Sequence, residues 1–222
     1  MAYDFYHPAK RRASLNVLLI NGSPHKEGCT YTALSEVAGQ LNKQDIETHI
    51  FHIGNAPIRG CDACGKCGRT GYCAYSEDTV NKCVDLLRQA DGLVVGSPVY
   101  YAAPNGALCA FLDRLFYGKS AAYAFKPAAA IVNCRRGGAT AAFDRLNKYF
   151  TISGMPVVSS QYWNITHGNK PDEVRRDLEG LQTMRTLGNN MAWLLKCLAY
   201  AREAVPFPEK EPRVSTNFIQ PL

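Results

Sequence analysis

The sequence predicts an α/β fold, a doubly wound parallel sheet with helices on both faces. Three observations predict it: short apolar runs rich in β formers, amphipathic helical periods between them, and an alternation of the two that repeats five times. Alternation of this kind joins parallel strands through crossover helices. A chain of 222 residues is long enough to bury a substantial core in one domain. Its 46% hydrophobic and 20% charged residues are ordinary for a globular protein.

The first apolar run is 16–20 (NVLLI), broken by Asn21-Gly22-Ser23-Pro24, and it suits a strand buried on both faces. Residues 30–41 follow as a helix whose inner face is Ala33, Leu34, Val37, Ala38 and Leu41. The alternation of Ile46, Thr48 and Ile50 marks 46–53 as a strand at a sheet edge. A Gly- and Cys-rich loop occupies 59–75, and Asp78 opens a helix over 80–89 that offers Val84, Leu86 and Leu87 to the core. The third strand is GLVVG, 92–96. The helix over 106–116 then places Leu108, Phe111, Leu112 and Leu115 on one face. AAAIVN (128–133) is the fourth strand, 139–150 a helix, 156–160 the fifth strand, and 173–201 a long closing helix with an interruption expected at Gly188. From Pro206 onward, four prolines and no periodicity describe a C-terminal arm over 206–222.

The formal charge of +6 suits an anionic ligand, but Arg11-Arg12 and Arg135-Arg136 are pairs rather than tracts. Nucleic acid is therefore not an expected partner. No stretch approaches the roughly 20 apolar residues of a membrane span. The N-terminal MAYDFYHPAKRRAS has no apolar segment like that of a secretory signal, so the expectation is a cytoplasmic protein. In that reducing compartment nine cysteines read as thiols, metal ligands or redox groups, not as a disulfide framework.

In open α/β sheets ligands bind beyond the carboxyl ends of the strands, and three loops there have unusual composition. The loop 21–30 leads into a helix with the hydroxyls of Ser23 and Thr30 beside helix-start amides, which suits a phosphate. It lacks both the nucleotide-hydrolysing P-loop pattern and Gly-x-Gly-x-x-Gly, so a phosphate monoester matches it better. The loop 97–106 sets Tyr100 and Tyr101 among prolines and a glycine, a setting for a flat ring. The loop 133–138, Asn-Cys-Arg-Arg-Gly-Gly, lets backbone amides approach a ligand and offers arginines to a reduced, negatively charged ring. Taken singly, each is also an ordinary turn.

These loops together make the chain resemble the NADPH-dependent FMN reductase branch of the flavodoxin superfamily, and within it the iron-sulfur flavoproteins. The resemblance runs over about 16–169 and is carried by LLINGSPHKEGCT (18–30), RGCDACGKCGRTGYC (59–73), DGLVVGSPVYYAAPNGALCAFLDRL (91–115) and the RRGGAT to YWNITHG stretch (135–168). It implies a flavodoxin-like five-stranded sheet of order 2-1-3-4-5, one FMN-binding domain over 1–205, non-covalent FMN, and a homodimer or homotetramer. Carried over by position, Ser23, Pro24, Gly28, Cys29 and Thr30 hold the FMN phosphate. Pro98, Val99, Tyr100, Tyr101 and Asn105 line the ribityl chain and ring, and Asn133, Arg135, Arg136 and Gly137 edge the ring. Where many relatives have Asn, this chain has Cys29, which weakens or replaces one phosphate hydrogen bond.

Cys61, Cys64, Cys67 and Cys73 form C-x2-C-x2-C-x5-C with glycines between them. Thiolates three residues apart and tight glycine turns suit a chain wrapped on a cubane cluster. The pattern is similar to the compact motif of iron-sulfur flavoproteins, where it holds a [4Fe–4S] cluster. Structural zinc, a thiol–disulfide element and inert thiols are the competing readings. Cys83, Cys109, Cys134 and Cys197 are expected as small buried apolar residues.

The resulting expectation is an oxidoreductase taking hydride from NAD(P)H and passing electrons to a small acceptor (a flavin, a quinone or similar). The alternative is an FMN and iron-sulfur electron carrier serving a redox protein, with no small substrate of its own. Flavin chemistry needs no general base, and His167 is the one histidine whose loop is expected near the site.

Overall fold

The computed structural model describes residues 14–118, 120–209, 211, 212 and 214. The Arg11-Arg12 pair and most of the expected C-terminal arm lie outside the described residues. In chain order the elements are β1 (Leu15–Asn21), α1 (Cys29–Asn42), β2 (Ile46–His52), α2 (Lys66–Thr70), α3 (Val80–Gln89), β3 (Gly92–Tyr100), β4 (Ala103–Pro104) and α4 (Gly106–Tyr117). A 3-10 turn (Ser120–Tyr123) precedes β5 (Ala128–Cys134), α5 (Ala139–Ile152), β6 (Ile165–His167), α6 (Pro171–Arg176) and α7 (Leu178–Ala201).

The strands pair in the order β2-β1-β3-β5-β6, all parallel, so the five parallel strands take the expected 2-1-3-4-5 order. Period-2 alternation divides the core between the two faces. Leu18, Ile20, Leu93 and Val95 point toward α3, α4 and α5; Val17, Leu19 and Val94 point toward α1 and α7. All five residues expected on the inner face of the first helix are buried, as are all four on that of α4. A fully buried leucine contributes roughly 1.5–3 kcal/mol relative to exposure, so these two faces drive the fold.

Four expectations need correction. The sheet has a sixth strand, because β4 folds back antiparallel on β3 through Tyr101-Ala102, both at positive φ (50° and 59°). The segment 156–160 is not a strand; it makes one isolated parallel bridge, Ala128 to Val157. The fifth parallel strand is β6, and Asn164 eases its start: its Nδ2 donates to the Ala130 carbonyl (3.1 Å) while its own carbonyl accepts from Val132 (3.0 Å). The closing helix breaks at Asp177, not at Gly188. Asp177 caps α7 by accepting from the Gly180 amide (2.9 Å), and α6 ends there. Finally, Cys83 and Cys134 are buried and Cys109 half-buried, but Cys197 is exposed on α7.

Candidate functional site

Strand order reverses between β1 and β3, and the crevice beyond their carboxyl ends is where this architecture takes ligands. The structure brings the three loops together there. Gly22 donates to the Gly96 carbonyl (2.9 Å), tying the first loop to the end of β3. Gly96 in turn leaves room for α1, since a Cβ there would lie 2.8 Å from the Thr30 methyl. The third loop meets the second at Gly138, where a Cβ would come 2.8 Å from the Ala102 Cα.

The first loop is braced from within. Asn21 Oδ1 accepts from the Ser23 amide (3.0 Å) and its Nδ2 donates to the Lys26 carbonyl (3.0 Å), while Ser23 Oγ accepts from the His25 amide (3.1 Å). His52, at the end of β2, has Nε2 2.8 Å from the Ser23 carbonyl; a carbonyl only accepts, so Nε2 carries the proton. Asn21 and His52 are structural parts of this loop that sequence reasoning did not single out. Pro24 and Cys29 are half-buried, and α1 starts at Gly28 with no side-chain cap. Burial pushes the Cys29 thiol up. Thr30 is buried, and its Oγ1 has no hydrogen-bond partner. An uncapped helix start leaves amides without intrahelical partners, and its dipole favours an anion. Orphaned amides beside an orphaned buried hydroxyl fit a phosphate monoester.

In the second loop Pro98 and Val99 are half-buried, Tyr100 is exposed and Tyr101 stands wholly in solvent. Asn105 donates its amide to Ser97 Oγ (3.0 Å) and caps α4 by accepting from the Ala107 amide (2.8 Å). In the third, Asn133 is turned toward β6, donating from Nδ2 to the Thr166 carbonyl (3.2 Å) and hydroxyl (3.1 Å). Arg135, Arg136 and Gly137 are exposed on the turn after β5. His167 is exposed, and its backbone amide donates to Asp177 (2.6 Å).

The cysteine loop lies over α3 and α4, and within it Lys66–Thr70 forms the short helix α2 where the sequence predicts only a loop. Cys61, Cys64, Cys67 and Cys73 line one small pocket with Tyr75 and Arg114. Burial, and to a lesser degree the neighbouring Cys61 and Cys73, push the Cys67 thiol up. Turn geometry needs left-handed backbone at Gly65 (φ 71°) and Gly71 (φ 82°), as the glycines led one to expect. Among the described residues, no three His, Cys, Asp or Glu side chains are placed to hold a single metal ion. The four-thiol donor set fits a cluster, whose corners spread the ligand sulfurs more widely than one ion does. Asn81 pairs with both backbone groups of Cys73 (2.8 and 3.1 Å), and Arg88 donates to the Gly71 carbonyl (2.8 Å). None of Asn81, Arg88 and Arg114 was foreseen; the available signal for Arg114 was a charge adjoining the apolar face of α4.

A doubly wound sheet whose switch-point crevice joins an uncapped helix start to an aromatic hairpin defines a flavodoxin-like flavoprotein. The chain belongs to the NADPH-dependent FMN reductase family, whose model matches residues 15–170. It is similar to an iron-sulfur flavoprotein of Methanocaldococcus jannaschii (28% identity, covering 83% of this chain and 99% of that protein). It is also similar to one of Archaeoglobus fulgidus (30%, 71% and 79%). Among solved structures, RosB with a bound 8-demethyl-8-formylriboflavin-5′-phosphate intermediate shares the fold with a TM-score of 0.66 at 17% identity, over 93% of this chain and 96% of that one. The apo NADH:FMN oxidoreductase EmoB does so at 0.58 and 21%, over 83% and 90%. The protein is an FMN-dependent oxidoreductase. Among the described residues no helix is long and apolar enough to cross a membrane.

Proposed function

We propose that the protein holds FMN non-covalently in the β1–β3 crevice, takes hydride there from NADPH or NADH, and passes electrons to a small acceptor such as a flavin or quinone by way of a [4Fe–4S] cluster on Cys61, Cys64, Cys67 and Cys73. The observation that carries the flavin site is the buried, unpartnered Thr30 hydroxyl at an uncapped helix start. Bound there, FMN supplies the hydride and electron-transfer chemistry, and the protein supplies position and electrostatics. Ser23, Thr30 and the amides of Gly28 and Cys29 hold the phosphate, with Pro24 fixing the turn before them. Pro98, Val99, Tyr100, Tyr101 and Asn105 line the ring and ribityl chain. Asn133 and Gly137 edge the ring, and Arg135 and Arg136 place positive charge where the reduced ring is negative. The cluster reading is supported by the four thiols around one pocket and by the curated relatives, which are named as iron-sulfur flavoproteins. The tilted Tyr162–Trp163 pair (5.1 Å between centroids) and the exposed Trp193 and Tyr200 suit contacts between copies in a homodimer or homotetramer.

The test is anaerobic purification, assay of flavin, iron and sulfide, and rapid mixing with NADPH and NADH. Flavin with about four irons per chain and fast bleaching by one nicotinamide is the expected result. Flavin without iron removes the cluster and leaves a simpler FMN reductase. Slow bleaching by both nicotinamides replaces the reductase with an electron carrier. No flavin after incubation with FMN overturns the proposal.

A further inference from the structure

Arg114 is 1% exposed, and it lies far along α4 from the crevice where that helix begins. All three guanidinium nitrogens are engaged, by the cysteine loop and by Asp78 just beyond it. Nε donates to Cys73 Sγ (3.1 Å), Nη1 to the Arg59 carbonyl (3.2 Å) and to Asp78, and Nη2 to the Tyr75 carbonyl (2.9 Å) and Asp78 Oδ1 (3.2 Å). Arg59 precedes the first cysteine and Tyr75 follows the last, so one side chain joins both ends of the loop. A lysine, a point charge without the planar fork, cannot reproduce that set. Asp78 balances the buried charge, and its Oδ1 also accepts from the Val80 amide (3.1 Å). Two more contacts brace this arrangement, one against the end of α4 and one within the loop. Cys67 packs against Gly118, where a Cβ would lie 2.4 Å from its sulfur, and Tyr75 donates to Asp62 (2.5 Å).

A buried cation donating to one sulfur of a four-thiol set has an electronic consequence. Reduction potentials of thiolate-ligated clusters are set by hydrogen bonds to the sulfurs and by net local charge. The outer partner also fixes the orientation of the ligand. We propose that Arg114 is a positioning residue for the cysteine loop: it orients Cys73 and raises the reduction potential of a cluster held there, with Asp78 opposing it. This inference rests on the cluster reading above. The couple transfers one electron, with no bond formed or broken, so the charge of Arg114 and Asp78 acts directly on its equilibrium.

The experiment compares wild type, Arg114→Gln and Asp78→Asn after anaerobic reconstitution with iron and sulfide. Dithionite titrations are followed by electron paramagnetic resonance, and bound flavin serves as the internal measure of folding. Arg114→Gln removes the cation and the Cys73 hydrogen bond, and the expected result is a potential lower by about 59 mV or more, a tenfold shift in a one-electron equilibrium. Asp78→Asn keeps the arginine but removes its counter-charge, so the potential rises. A merely structural role does not produce shifts of opposite sign. Loss of iron from Arg114→Gln with flavin retained also supports the proposal, because the loop then no longer presents its ligands. If Arg114→Gln loses flavin as well, the sign of the Asp78→Asn shift decides. Unchanged or same-sign potentials overturn the role of Arg114. A wild type that binds flavin but never iron overturns the cluster reading, and this proposal with it.

Discussion

Gly138 lies against Ala102 so closely that any Cβ at position 138 would come 2.8 Å from the Ala102 Cα and 3.0 Å from its Cβ. Ala102 is the second residue of a two-residue turn in which both positions adopt positive φ without being glycine. Left-handed backbone costs such residues roughly 1–2 kcal/mol each, so something must hold the turn in place. Gly138, itself at φ 83°, is what the turn rests on. Gly138→Ala strains its own backbone and pushes the Tyr101-Ala102 tip away from the crevice. The expected outcome is a loss of about 1–2 kcal/mol of stability and FMN binding weaker by about tenfold. Fluorescence titration of the apoprotein measures the second; unchanged affinity would separate the hairpin from the flavin site.

Thr30→Val should move stability and affinity in opposite directions. An unsatisfied buried hydroxyl costs roughly 1–3 kcal/mol, and valine has nearly the same shape. Apoprotein carrying this substitution should therefore be as stable as wild type or more so, by about 1 kcal/mol. Losing a hydrogen bond to a charged phosphate costs about 1.5–3 kcal/mol, so FMN should bind about 10- to 100-fold more weakly. Denaturant melts of apoprotein beside flavin titrations give both numbers. A variant that loses stability while keeping its affinity would place the phosphate elsewhere.

What the sequence disclosed follows from how much local pattern each element needs. β1, β3 and β5 are buried on both faces and were legible as apolar runs, and the helix faces of α1 and α4 were legible from their period. β6 was not, because it has only three residues, and the apolar run before it turns Val157 outward after a single bridge. The crevice loops were legible because glycines, prolines and hydroxyls cluster after strands. Arg114 was not, because its partners at 59, 73, 75 and 78 are distant in sequence and only the fold gathers them.

Gly188 misled for a physical reason. Glycine inside a helix costs about 1 kcal/mol relative to alanine and so reads as a break. Here it allows α7 to approach α1: a Cβ at 188 would lie 2.8 Å from Gln40 Cβ and 3.2 Å from the Val37 carbonyl. Gly188→Ala gains helix propensity but overpacks that contact, which typically costs 1–3 kcal/mol. A net loss of about 1 kcal/mol should lower the melting temperature by about 2–4 °C. Flavin affinity should be unaffected, since the contact lies outside the three loops. A raised melting temperature would mean that the helices separate without penalty.

Alkaline pH gives the last prediction. Burial pushes the Cys83 thiol and the Tyr123 hydroxyl well above their ordinary values of 9.0 and 10.0. The folded state thus binds these protons more tightly than the unfolded chain does. Below pH 9 both states keep them and the stabilisation is fully present; above it the unfolded chain ionises first and stability falls. Each fully ionising group then costs about 1.36 kcal/mol per further pH unit. Tyr123→Phe removes one such group along with a long hydrogen bond to the Leu115 carbonyl (3.4 Å). At pH 8 this variant should be slightly less stable than wild type, by about 1 kcal/mol or less. By pH 11 the order should reverse, because only wild type must then keep a buried phenol protonated against solvent. Denaturant melts across that range test this, and a constant difference would show that the Tyr123 hydroxyl exchanges its proton as freely in the folded protein as in the unfolded one.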